Sequence, residues 1–294
     1  MEELMGEVVA SALIAHVPTI VLPPEVRRSL NNGSESTLVS GLEALRDDFF
    51  ASGEYDCVIV FDSHWFTTVE FVVTSHGRRS GYFTSEELPR GMSQREYDIK
   101  GDPILAKAIE EAGSKRGTWI TAIDDPYLPI NYATTNVWEY LGKGIDRPWI
   151  SISVCQTATM EDFLLAGRAV ADAIEASSRR VVLIASGAMS HTFWPLTELR
   201  KHEAAGVEHI FSREAYDADM VRLSAFERGD HALVLETMDD FYRFRPEARF
   251  GHYLMMAGAC GGRDFKVAGR RYGEYENSIG TGQVHVFFDH RTSN

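Results

Sequence analysis

The sequence predicts an α/β fold: one domain with a central mixed sheet flanked by helices, and a site at the carboxyl ends of its strands. Three observations carry this reading. Short β-branched runs alternate with longer amphipathic stretches along the whole chain, the pattern of strands separated by helices. The run Cys57–Phe61 is almost wholly apolar, as in a central strand buried on both faces. No internal repeat, low-complexity tract or linker-like break in composition divides the 294 residues, so residues 1–294 read as a single domain.

In chain order, the first strand is Val8–Ala15, stopped at His16-Val17-Pro18 because proline cannot donate to a continuing ladder. Ser36–Ser52 sets Leu38, Leu42, Leu45 and Phe49 at helical spacing, with Arg46, Asp47 and Asp48 on the other side. The strand Cys57–Phe61 closes at Asp62-Ser63-His64-Trp65. Val69–Thr74 is a further strand, Asp102–Arg116 a helix and Thr118–Ile123 a strand. A proline-punctuated loop then leads to a short helix over Thr134–Gly142. The second half repeats the alternation with strand Trp149–Val154, helix Met160–Ser177 and strand Arg180–Ala185. The small-residue loop Ser186-Gly187-Ala188-Met189-Ser190-His191 follows. Ser212–Glu227, Ala232–Met238 and the apolar Arg249–Cys260 read as helices, the last stopped by Gly261-Gly262. Phe265–Tyr272 and Val284–Phe288 are the final strands.

With 44% hydrophobic and 11% aromatic residues the chain can bury a sizeable core, which excludes disorder. A formal net charge of −14 repels phosphate backbones and anionic bilayers, so neither nucleic acid nor a membrane surface is expected as a partner. The three cysteines, Cys57, Cys155 and Cys260, are too few and too scattered for a disulfide framework or a metal knuckle. No apolar run approaches the roughly 20 residues needed to span a bilayer, and Met1–Glu7 is acidic, unlike a signal peptide. A soluble cytoplasmic protein is therefore expected.

The ten histidines are the feature that points to chemistry. In open α/β sheets ligands bind beyond the carboxyl ends of the strands. His16, His64 and His191 each follow a predicted strand end. Two imidazoles and one carboxylate form the facial triad that leaves coordination positions free on non-haem Fe(II). Glu274, between the last two strands, is a candidate for the carboxylate, with Glu276 as a competitor. The seven remaining histidines show no ligand spacing and read as surface or structural. Arg243 and Arg245 read as an exposed basic turn, although a substrate carboxylate is another use for them.

The segments Ile14-Ala15-His16-Val17-Pro18, Val60-Phe61-Asp62-Ser63-His64-Trp65, Ala185–His191 and Gly280-Thr281-Gly282-Gln283-Val284 resemble, in order and spacing, the class III extradiol ring-cleavage dioxygenases. The resemblance runs from about the first strand to the last. It implies that His16, His64 and Glu274 hold Fe(II), with Mn(II) as a possible replacement, and that His191 is the acid/base histidine. It implies a small aromatic substrate and O2: an ortho-dihydroxy, aminophenol or hydroxypyridone ring. In place of the Asp-His-Gly of many members, the loop Pro129–Thr134 carries Tyr132, which resembles the homoprotocatechuate and aminophenol branches. Tyr132 is then either a proton donor toward substrate or oxygen, or a packed tyrosine with a satisfied hydroxyl. The family assembles as homo-oligomers or pairs a catalytic chain with a second subunit. The full residue set here favours a homo-oligomer.

Two other readings are kept: a Zn(II)-dependent ring-opening or hydrolytic enzyme on the same fold, and a non-catalytic protein-binding relative. The combination of His16, His64, Glu274 and His191 weighs against the last, since a binding module has no need of an open metal site.

Overall fold

The computed structural model describes residues 5–292; residues 1–4, part of the acidic opening segment, lie outside the described residues. The first half contains β1 (Glu7–Ile14), α1 (Pro24–Leu30), α2 (Thr37–Asp48), β2 (Cys57–Thr67), β3 (Phe71–Thr74), β4 (Arg78–Phe83) and β5 (Arg95–Lys100). It continues through α3 (Pro103–Arg116), β6 (Ile120–Ile123), α4 (Tyr132–Leu141) and β7 (Trp149–Cys155). The second half contains α5 (Met160–Glu175), β8 (Arg180–Ser186), α6 (Arg213–Arg228), α7 (His231–Glu236), α8 (Met238–Phe241) and α9 (Gly251–Ala259). Four strands close the chain: β9 (Gly269–Arg271), β10 (Glu276–Ser278), β11 (Thr281–Gln283) and β12 (His285–Asp289).

Eight strands form one mixed sheet in the order β6-β3-β7-β2-β8-β1-β12-β9. The central run β7-β2-β8-β1 is parallel, and β12 closes against β1 antiparallel. Alternation along β2 shows why this is a three-layer α/β domain. Cys57, Ile59 and Phe61 enter one core with α3, α5 and α9, while Val58 and Val60 enter a second core with α2 and α4. With both faces covered, truncating a residue such as Ile59 to Ala would cost about 2–5 kcal/mol.

The helix starts follow from local chemistry. Asp102, Thr159 and Ser212 accept backbone N–H bonds at the first turns of α3, α5 and α6, and Thr159 and Asp162 form a reciprocal capping box.

One difference from the sequence expectation concerns the site. β2 does not end at Phe61. Its pairing with β7 jumps from Asp62–Ser153 to Phe66–Val154, so Ser63, His64 and Trp65 are bulged out of an otherwise continuous strand. The Gly280-Thr281-Gly282 segment belongs to a β10–β11 hairpin whose turn residues Ile279 and Gly280 both have positive φ, 48° and 113°. The sequence reading lacks the β4–β5 hairpin: β4 alternates between exposed and half-buried residues, β5 buries only Tyr97 and Ile99, and charged side chains dilute the pattern. No helix among the described residues is long and apolar enough to cross a membrane.

Candidate active site

Because β2, β8 and β1 are adjacent and parallel, their carboxyl ends lie side by side, and His64, His191 and His16 leave the sheet there. His16 and His64 meet a carboxylate at one point. The acid is Glu247, and one ligand atom from each of the three lies within 4.8 Å of the others. Glu247 Oε1 is 2.9 Å from His64 Nε2 and 3.5 Å from His16 Nε2.

Glu274, the carboxylate the family resemblance implies, does not reach this point. It is 76% exposed, with its carboxylate 3.7 Å from Arg271. Its competitor Glu276 is buried for another reason. It accepts from the Ser36 hydroxyl and from the backbone N–H and hydroxyl of Thr37, each at 2.6 Å, and so anchors the N-terminus of α2.

Each group is held by buried partners. His16 Nδ1 lies 3.0 Å from Ser186 Oγ, and Ser186 donates its proton to the Ala133 carbonyl at 2.7 Å. Ser186 Oγ must then accept from His16 Nδ1–H, which leaves the Nε2 lone pair facing Glu247. Just upstream, His285 Nδ1 accepts from the Ala15 N–H at 3.1 Å while Nε2 donates to the Leu38 carbonyl at 3.1 Å. The bulge carrying His64 is clamped by Asp62, which accepts from the backbone N–H groups of His64 and Trp65 and from the Thr134 hydroxyl. Burial pushes the Asp62 carboxyl up despite these bonds. Glu247 accepts from the Ser63 hydroxyl at 2.8 Å and the Ala188 N–H at 2.5 Å. Burial opposes its ionisation, yet the two imidazoles hold it well below the usual carboxylate range. Burial likewise opposes charge on His64, but the bond to Glu247 together with the carboxylates of Glu247, Glu87 and Asp62 raises the imidazole's pKa.

Glu247 stands at the start of an irregular segment. The next three residues, Ala248, Arg249 and Phe250, all have left-handed φ, at 49°, 56° and 62°. This is uncommon for non-glycine residues and adverse by about 1–2 kcal/mol each.

The loop after β8 is tied down amide by amide. Gly187 N–H donates to Ile14, Ala188 to the Glu247 carboxylate, Met189 to Gly282, Ser190 to Asp219 and His191 to Phe244. Gly187 is required here, since a Cβ would sit 2.5 Å from the ring of His252. Asp219 on α6, fully buried, also accepts from the hydroxyls of Ser190 at 2.6 Å and Tyr275 at 2.5 Å. A Cβ on Gly282 would fall 2.1 Å from that carboxylate, which gives the second glycine of the Gly-Thr-Gly-Gln motif its role.

These groups border a cavity of about 450 Å³ lined by His16, His64, Tyr132, His191 and Glu247, among others. Burial lowers the pKa of His191, so its imidazole is neutral near pH 7. The Tyr132 hydroxyl lies 2.9 and 2.7 Å from the two ring nitrogens of His64 and donates to Glu87 at 3.0 Å. Burial, with Glu87 and Glu247 nearby, raises its pKa and keeps it a phenol. Arg243 and Arg245 are exposed and outside the lining.

Sequence reasoning missed Glu247. Its one signal was an acid directly after Pro246 and ahead of the apolar run of α9, where a solvated acid is out of place.

Two imidazoles and one carboxylate, converging beneath an open cavity, make a candidate site for a single metal ion. Comparison with known proteins narrows the class. Residues 10–289 match the family described as "Catalytic LigB subunit of aromatic ring-opening dioxygenase". The chain belongs to that family. It is 28% identical over 192 residues to 3,4-dihydroxyphenylacetate 2,3-dioxygenase of Escherichia coli, spanning 64% of this chain and 68% of that one. It is 27% identical over a 301-residue alignment to the beta subunit of 2-aminophenol 1,6-dioxygenase from a Pseudomonas species, spanning 96% of this chain and 93% of the relative. Both relatives are class III extradiol dioxygenases. The crystal structure of an uncharacterized Escherichia coli K12 protein superposes with a TM-score of 0.62 over 95% of this chain and 99% of the other, at 15% identity, a likeness of fold.

Proposed function

We propose that this protein is a metal-dependent extradiol dioxygenase that opens a small ortho-dihydroxy, aminophenol or hydroxypyridone ring with O2. In this reading His16, His64 and Glu247 hold Fe(II) or Mn(II). The observation that carries it is the convergence of these three donors within 4.8 Å at the cavity wall. The donor set fits such an ion: Ser186 presets His16 to offer Nε2, and Glu247 is already anionic beside two imidazoles. When bound, the ion supplies a Lewis-acidic, redox-active centre with positions left for the ring's adjacent heteroatoms and dioxygen.

The chain's own groups do the rest. His191, neutral because it is buried, accepts the proton of a ring hydroxyl and returns it later in the cycle, a role typically worth about 10²–10⁴-fold in rate. Tyr132, held as a phenol, presents a hydroxyl beside His64 and orients the heteroatom bound there. The apolar walls shed water and fix the plane of the ring.

Metal content and oxygen uptake test this. Wild type should carry about one iron or manganese per chain and consume oxygen with catechol, 2-aminophenol or 3-hydroxy-4-pyridone. Glu247→Ala should lose both properties, while Glu274→Gln keeps both. Retention of metal and ring cleavage by Glu247→Ala would overturn the assignment, and zinc with no oxygen uptake would favour the hydrolytic reading. Because this chain supplies all three donors itself, we propose a homo-oligomer, which light scattering checks.

A further inference from the structure

We infer that this site takes rings whose remaining substituent is uncharged or cationic and discriminates against arylcarboxylates, an inference that rests on the ring-opening reading above. Beyond the groups already given roles, the cavity walls are apolar, from Val17, Leu88, Phe193, Leu199 and Ile279, with neutral polar groups between them. Among the described residues no lysine or arginine lines it. Arg90 and Arg200, close in sequence to Leu88 and Leu199, are exposed and outside the lining. The one further charge is an acid, Glu87, 61% exposed, which accepts from Tyr132 and lies 3.6 Å from His64 Nδ1.

A substrate carboxylate brought into this cavity would leave its water shell with no cationic partner, beside Glu87 and within the field of a chain of net charge −14. An ammonium group would meet Glu87, and an alkyl group the apolar wall. Ile279 strengthens the second point. A β-branched residue at φ 48° is a backbone outlier, and it is held at the hairpin tip, where its side chain forms part of the cavity wall. The relative named for 3,4-dihydroxyphenylacetate acts on a carboxylate-bearing ring, so this selectivity would separate the two proteins.

The test is anaerobic calorimetric binding of three rings to the Fe(II)-loaded protein: anionic 3,4-dihydroxyphenylacetate, neutral 4-methylcatechol and cationic dopamine. The neutral and cationic rings should bind at least about tenfold more tightly than the acid, and Glu87→Gln should lower the affinity for dopamine relative to 4-methylcatechol several-fold. Equal or tighter binding of 3,4-dihydroxyphenylacetate overturns the inference, as does failure of both other rings to bind. Oxygen uptake is read separately. Selective binding without ring cleavage would uphold the charge preference and remove the ring-opening reading.

Discussion

Ser186 Oγ lies 3.0 Å from His16 Nδ1 and gives its own proton to the carbonyl of Ala133, so one buried hydroxyl fixes which nitrogen of His16 faces Glu247. Replacing it with Ala removes the acceptor and frees the ring to flip. Ser186→Ala should therefore weaken metal binding about 10–100-fold while leaving the fold intact. Competition against a chelator, with circular dichroism as the control, checks this. Unchanged affinity would show that the tautomer is set elsewhere.

How much of this was legible in the sequence depends on periodicity. The strands of the parallel core read clearly because they are short apolar runs, and His16, His64 and His191 could be placed because each follows such a run. Glu247 sits where the chain has no period at all, between Pro246 and three left-handed residues, so no periodicity marks it and only its place between a proline and an apolar run sets it apart. Glu274 is implied by the resemblance and by its place between the last two strands, but position along a chain says nothing about facing, and its carboxylate turns to Arg271. The bulge of residues 63–65 was equally hidden. It depends on pairing with β7, a tertiary fact, whereas Asp62-Ser63-His64 read locally is an ordinary strand end.

The buried Asp219–Ser190–Tyr275 cluster holds the backbone next to His191. Tyr275→Phe removes one bond to the carboxylate and should cost about 1 kcal/mol. Asp219→Ala leaves the Ser190 N–H and two hydroxyls without their acceptor and should cost about 3 kcal/mol or more. If the cluster positions His191, the Tyr275→Phe enzyme will lose kcat with little change in KM. Denaturant melts alongside steady-state kinetics separate the two effects. A rise in KM alone would assign the cluster to ring binding instead.

Acid stability follows from the other histidines. Burial holds His76, His231, His285 and His290 near a pKa of about 4 and His252 near about 3, against an ordinary 6.5. In the unfolded chain these groups bind protons below pH 6.5 that the folded chain refuses until pH 3 to 4. Their contribution is complete above 6.5 and is lost as the pH falls through that window. Asp219, raised by burial to about 6, acts in the opposite direction between about 4 and 6, and Asp62, also raised by burial, acts with it. Unfolding at pH 5 should therefore take up protons, the five imidazoles outnumbering the two raised carboxyls. Urea melts between pH 4.5 and 7.5 measure the slope, and a flat profile would show that these imidazoles are solvated.

The left-handed turn after Glu247 makes a prediction in which stability and binding move in opposite directions. Ala248 has φ 49° and ψ 34° and begins the segment Ala248-Arg249-Phe250 that turns the chain into α9 while Glu247 faces the two imidazoles. Glycine adopts this conformation without the Cβ clash, so Ala248→Gly should stabilise the metal-free protein by about 0.5–1 kcal/mol, even after the greater entropy of its unfolded chain is counted. The same change loosens the hinge that aims the carboxylate, and metal affinity should fall several-fold. Strain retained at a ligand predicts this pairing of a higher Tm with weaker metal binding. Thermal melts without metal and a chelator competition on the same samples read both quantities. A variant that gains stability and keeps full affinity would show that Glu247 is aimed by the Ser63 hydroxyl and the Ala188 N–H alone, with no help from the turn.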